Sequence, residues 1–196
     1  MQSKTYQVTV KFLEPLLGTV PLNSELYDDY IATKAPAPVE DEAETIEEMT
    51  EKGTTGFHRL DEKLILYDYV VKGFFKDACG MLRRDSTTLS AKIASYKKVI
   101  DGMVFIRPRR IPLVVVGKIG ILERPLRAQT AQGERVALSR SEMIEAGSSA
   151  TFTVQVIGGA VTEAVLREWL EYGALRGLGQ WRNAGYGAFE YTMSSI

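Results

Sequence analysis

Residues 151–193 read TFTVQVIGGAVTEAVLREWLEYGALRGLGQWRNAGYGAFEYTM. Thr151–Ile157 alternate apolar and polar residues, the period of a half-buried strand. Gly158-Gly159 turns the chain. Thr162 is placed to cap a helix, and Glu163 suits the positive end of its dipole. Over 163–175, Val165, Leu166, Trp169 and Leu170 share one helical face, and Gly177 ends the helix. A glycine-rich loop follows, then a strand over Tyr186–Met193. The order is strand, helix, loop, strand.

Working outward, residues 4–13 alternate Tyr6, Val8, Val10 and Phe12 with Gln7, Thr9 and Lys11, which predicts an opening strand. Residues 14–23 turn, and a short helix is expected over 24–34. Residues 35–56 combine two prolines, an acidic run and a Gly/Thr end, and read as a mobile excursion from the fold. Phe57–Leu60 and Leu64–Tyr67 pair around Asp61-Glu62-Lys63. Tyr69–Leu82 sets Val70, Val71, Phe74, Phe75, Ala78, Met81 and Leu82 on one face of an amphipathic helix. Residues 88–98 read as a polar helix. Met103–Ile106, Leu113–Val116, Ile119–Leu122 and Arg135–Leu138 read as short strands, with Arg107–Pro112 an extended edge segment because of its two prolines. The opening strand and helix 69–82 supply a second half to match the C-terminal one. The expected fold is α+β: a ferredoxin-like (RRM-like) antiparallel sheet packed with two helices, with insertions, in one domain spanning 1–196.

The chain has 196 residues and a net charge of −1, with 45% hydrophobic residues, ample for a core. The charge is unevenly spread. Residues 40–51 hold seven acids and no base, whereas residues 83–140 hold thirteen bases and four acids, a net of +9. A basic body carries an acidic arm, so near-neutrality does not exclude a polyanionic partner. One cysteine, Cys79, excludes an internal disulfide and a multi-thiolate metal site, and its apolar setting predicts a buried thiol. One histidine, His58, argues against His-rich metal centres and a Ser-His-Asp triad. No cofactor or metal is implied. The apolar runs are too short to span a bilayer, and the start of the sequence lacks a signal-peptide pattern, so a cytoplasmic protein with no membrane partner is expected.

The chemistry concentrates in Arg176–Phe189, RGLGQWRNAGYGAF. Gly177, Gly179, Gly185 and Gly187 let backbone come close to a ligand, and Arg176 and Arg182 suit phosphate. Trp181 and Tyr186 can stack on a base or pack. The stretch is neither a P-loop nor a dinucleotide fingerprint, since it follows a helix and precedes a strand.

This loop resembles the glycine-rich loop of the RAMP superfamily, the RNA-binding proteins of CRISPR effector complexes. In that family it lies between the last helix and last strand of a ferredoxin-like fold. Leu66–Asp77 (LYDYVVKGFFKD) is similar to the family's strand-to-helix segment. Lys72-Gly73-Phe74 takes the Lys-Gly-hydrophobic place, and Asp68-Tyr69-Val70 replaces the usual Pro-Gly-Ser. Phe12–Gly18 (FLEPLLG) is similar to the first strand and its turn. The resemblance implies binding of single-stranded RNA along its phosphates; the expected partner is single-stranded RNA or DNA, with RNA preferred. It assigns Arg176, Gly177, Gly179, Arg182, Gly185 and Gly187 to the binding loop and Lys72 and Lys76 to helix-borne phosphate contacts. Arg107, Arg109 and Arg110 are further candidates, and basic strands beside such a loop make a polyanion groove.

Catalysis has less behind it. Asp28 and Asp29 follow the first strand and His58 sits at the hairpin, but no spacing brings them together, so no active site is assigned. Two alternatives stand beside a non-enzymatic binder. One is an interaction protein, such as a phage-borne relative, that docks on a CRISPR complex or assembles with itself. The other is a metal-independent endoribonuclease.

Overall fold

The computed structural model describes residues 2–22, 54–130 and 133–196, and between 126 and 137 the backbone only. The helix expected over 24–34, the acidic run 40–51, and Asp28 and Asp29 lie outside the described residues.

The first sheet is built on β1 (Ser3–Phe12). It lies between β11 (Ser149–Ile157) and β12 (Phe189–Ser195), antiparallel to both. The alternation read in the sequence is the burial pattern. Tyr6, Val8, Val10 and Phe12 are buried, as are Ala150, Phe152, Val154 and Val156 of β11. The register pairs Tyr6 with Val154 and Val8 with Phe152, so both strands present one apolar side. Against that side pack α1 (Asp68–Leu82) and α3 (Glu163–Arg176). Thr162 caps α3 by accepting from the Val165 N–H at 3.4 Å.

Trp169, fully buried, packs on Phe75 with ring centroids 5.4 Å apart. Phe189 is boxed by Phe74 at 5.3 Å and Phe12 at 6.5 Å. Cys79 is buried in the same core. The buried face of α1 is Val71, Phe74, Phe75, Ala78 and Cys79, whereas Met81, expected inside, is exposed.

Beyond β11 the sheet continues through β7 (Val104–Arg107), β8 (Arg110–Val114), β6 (Lys63–Tyr67) and β5 (His58–Leu60). The Arg107–Pro112 segment is therefore not a plain edge. The chain pairs with β11 through β7, breaks at Pro108, and resumes as β8 between β11 and β6. Proline offers no N–H for the ladder, which is where the exchange of partners falls. The β5–β6 hairpin forms around Asp61 and Glu62, both at positive φ, the geometry of a tight two-residue turn.

A second sheet gathers β2 (Leu16–Leu17), β3 (Val20–Pro21), β4 (Thr54–Gly56) and a long hairpin of β9 (Gly120–Thr130) and β10 (Gly133–Ile144). Where short strands were expected at 119–122 and 135–138, two strands of 11 and 12 residues pair along their length. Thr54–Gly56, read as the end of the excursion, is strand paired to β3 and β10.

A helix over 88–98 is replaced by a 3-10 turn at Ser90–Lys92 and α2 (Tyr96–Met103). The break falls at Ile93, which is extended, and Ser95, which is left-handed, while the Glu168 carboxylate of α3 accepts the N–H groups of Leu89 and Ser90 at 2.7 and 3.0 Å and caps the turn. Ser90 Oγ in turn accepts the Trp169 indole N–H at 2.9 Å. The architecture is thus mixed, with three helices and mostly antiparallel strands among the described residues. No helix among them is long and apolar enough to cross a membrane.

Gly173 of α3 faces the Phe189 ring so closely that an added Cβ would overlap three of its carbons, while a Cβ on Gly73 of α1 meets nothing within 4 Å. Helix propensity alone makes Gly→Ala stabilising by about 0.5–1 kcal/mol. Gly73→Ala should therefore raise the urea midpoint. Gly173→Ala should lower it, because overpacking costs about 1–3 kcal/mol.

Candidate nucleic-acid interface

The glycine-rich loop spans the two sheets. On one side, Asp77 of α1 accepts hydrogen bonds on a single carboxylate oxygen from Arg176 Nε and Arg182 Nη1, both at 2.9 Å. Arg176 also donates to Asn183 Oδ1. On the other side, Gln180 Oε1 accepts from Thr55 of β4 at 3.2 Å and from Ser141 of β10 at 3.1 Å. Positive φ at Gly177, Gly179, Gly185 and Gly187 lets the loop fold back on itself. Gly177 and Gly187 lie against backbone atoms of the opposite limb, where no Cβ fits.

The amides close this arrangement. Leu178 N–H donates to Gly187 O, Gly187 N–H to Pro15 O, Gly185 N–H to Arg182 O, and Gly177 N–H to Gly173 O. These donors are spent within the chain. What the glycines supply is close approach of backbone to backbone.

Trp181 and Tyr186 stack on one another at 5.3 Å and 9°. The Arg124 guanidinium of β9 lies over the Trp181 ring at 4.2 Å. Arg124 is 7% exposed, and its Nε and Nη1 have no hydrogen-bond partner. Burial lowers its affinity for a proton, and the Trp181 ring face offsets part of the cost. Asp77 closes the Leu66–Asp77 stretch and Arg124 stands in β9, and the roles of both as loop contacts are revealed only by the three-dimensional arrangement.

Lys72 and Lys76 meet at α2. Lys76 Nζ is 2.5 Å from an Asp101 carboxylate oxygen, and Lys72 Nζ donates to the Asp101 carbonyl at 3.0 Å. The hydrogen bond from Lys76 holds the Asp101 carboxyl below its usual range.

Arg107, Arg109 and Arg110 differ. All three are exposed, and among the described residues no carboxylate lies within ion-pair distance of them. Arg107 is registered opposite Thr153 of β11. Arg109 and Arg110 line a cleft with Pro108 and Tyr67. Tyr67 stacks on Tyr69 at 5.3 Å and 13°, and His58 meets Tyr67 edge-on at 4.6 Å. Burial pushes the His58 ring below its ordinary value. No cluster of His, Cys, Asp and Glu that could hold a metal occurs among the described residues.

No protein-family model matches the sequence, and no curated protein matches it. A solved structure is similar in fold. It is a chain in the cryo-EM structure of the Type III-B Cmr-beta bound to cognate target RNA, with a TM-score of 0.57 and 12% identity. The match covers 100% of this chain and 61% of that one. At that identity the likeness is one of fold, a fold found in a CRISPR effector complex.

Asp77→Ala should cost about 1–3 kcal/mol in urea denaturation, since two guanidinium groups lose their acceptor. The amides of Leu178 and Gly187 should also exchange faster with deuterium, while those of β1 keep their protection.

Proposed function

We propose that this chain binds single-stranded nucleic acid along its phosphate backbone, RNA in preference to DNA, without catalysing a reaction on it. The observation that carries the reading is the row Arg107, Arg109 and Arg110, exposed and with no carboxylate at ion-pair distance among the described residues, the last two beside Tyr67 of the stacked pair Tyr67–Tyr69. Unpaired guanidinium groups release counterions when phosphate arrives, and exposed aromatics receive unstacked bases. The cations of the loop and of α1 join the same interface: Arg176, Arg182, Lys72 and Lys76, with Gly177, Gly179, Gly185 and Gly187 shaping it and Trp181 and Tyr186 beside it.

The strand order supports the parentage. In the order β12-β1-β11-β7, every neighbouring pair is antiparallel. Helix α1 lies in sequence between β1 and β7, and α3 between β11 and β12. This is the β-α-β-β-α-β arrangement of a ferredoxin-like unit, and we read the chain as a single RAMP-like domain on that ground. The similarity to a chain of an RNA-bound CRISPR effector complex points the same way.

A second reading has its own support. Arg176, Arg182 and Lys76 are held by Asp77 and Asp101, so much of the expected groove keeps its shape with no nucleic acid present. That favours a protein that docks on a CRISPR complex or on its own copies. Partner capture that survives nuclease treatment would mark this second reading.

Fluorescence anisotropy with a labelled single-stranded RNA should show binding that weakens steeply with salt. Arg109→Ala and Arg110→Ala should each weaken it several-fold for every sequence and flatten the salt dependence by about one phosphate contact. No binding at about 50 mM salt, where the electrostatic attraction is strong, overturns the reading.

A further inference from the structure

A groove of about 520 Å³ opens beside the glycine-rich loop, lined by Glu14, Pro15, Leu122, Met143, Ala184, Gly185 and Tyr186. That volume lies in the range of about 300–1,000 Å³ usual for small-ligand sites. Three parts of the chain form it: the turn after β1, the base of the β9–β10 hairpin, and the loop itself. Most of the lining is apolar. Tyr186 is the aromatic wall, and its ring is held by its stack on Trp181, which is itself held by the Arg124 guanidinium. Among the described residues Glu14 is the only charged one in the lining, and no ion pair to it occurs among them.

We infer that this groove binds a guanine base, stacked on Tyr186 with its Watson–Crick edge on the Glu14 carboxylate. The assignment follows from donors and acceptors. A lone carboxylate repels phosphate, so the backbone of a bound strand does not enter. A carboxylate is acceptor-only and presents two oxygens side by side. Guanine is the common base whose Watson–Crick edge presents two adjacent donors, N1–H and the N2 amine. Adenine and cytosine place a ring-nitrogen acceptor beside their single amine, and uracil flanks its one N–H with two carbonyls. Each of these three sets a lone pair against a carboxylate oxygen. Unstacked bases read through this edge and an aromatic face are the usual substrate of single-strand recognition.

The inference deepens the nucleic-acid reading, which by itself predicts no base preference. It also stands on a probe that needs no strand. Trp169 is fully buried while Trp181 is 39% exposed, so quenching by an added nucleotide reports chiefly on Trp181 beside Tyr186. Titration with guanosine monophosphate should quench this fluorescence at concentrations about tenfold or more below those needed for uridine monophosphate, as expected for a bidentate contact. Inosine monophosphate, which lacks the N2 amine, should fall between them.

Glu14→Gln should remove the preference, and Tyr186→Ala should remove the binding while Tyr186→Phe keeps it. Circular dichroism verifies that each variant is folded. In the strand experiment, one guanosine placed in a uridine tract should tighten binding by a similar factor in the native protein and not in Glu14→Gln. Equal quenching by the two nucleotides, or a preference that survives Glu14→Gln, overturns the guanine site. If no strand binds at low salt but guanosine monophosphate is still preferred, the backbone reading fails and the groove stands as a nucleotide site.

Discussion

Much of this structure depends on one half-buried carboxylate. Asp77 projects from the middle of α1 and takes hydrogen bonds from two arginines, one at the end of α3 and one in the loop that follows. A charge-assisted pair of this kind is stronger than a neutral hydrogen bond, and partial burial keeps it from being screened as a surface pair would be. It fixes where α3 stops relative to α1. It also fixes the direction of the loop, which reaches Thr55 and Ser141 of the second sheet through Gln180. The two sheets are joined by a loop in which the amides of Gly177, Leu178, Ala184, Gly185 and Gly187 are bonded within the chain.

That constraint separates two populations of positive charge. Arg176, Arg182 and Lys76 hold the fold together, and a phosphate approaching them must compete with carboxylates already in place. Arg107, Arg109 and Arg110 face no such competitor among the described residues. Arg124 is a third case, a cation buried under Trp181 with two donors unused. An unmade hydrogen bond on a buried group costs about 1–3 kcal/mol. The aromatic face offsets part of that and in return holds Trp181, and through it Tyr186, in a defined stack.

The regular elements were legible in the sequence because burial and period coincide there. The alternation of Tyr6, Val8, Val10 and Phe12 is the inward face of β1, and Val165, Leu166, Trp169 and Leu170 are the inward face of α3. The Arg176–Phe189 loop was visible from its glycines. What escaped were decisions made by distant residues. Glu168 captures the N–H groups of Leu89 and Ser90 across 78 or more positions and ties their turn to α3, a contact no local pattern announces. The β9–β10 hairpin is long because its strands answer each other, which a reading of each half alone does not show. Asp77 and Glu14 fall in the stretches Leu66–Asp77 and Phe12–Gly18, but neither stretch assigns them a role. Their roles exist only once α1, the β1 turn and the loop are brought together.

The net charge of −1 then has a structural reading as well as a compositional one. Counting charges over a window treats all cations as available, and the +9 of residues 83–140 overstates what a polyanion meets. Arg124 is buried, and Arg140 pairs across the hairpin with Glu123 at 2.5 Å. Three of the exposed cations, Arg107, Arg109 and Arg110, stand where β7 gives way to β8, around Pro108. Arg107 is registered opposite Thr153 of β11 and Arg110 opposite Tyr67 of β6, so the break at Pro108 sets the ring of Tyr67 beside Arg109 and Arg110. Charge and stacking surface are thus placed together by a single residue that can do neither job itself.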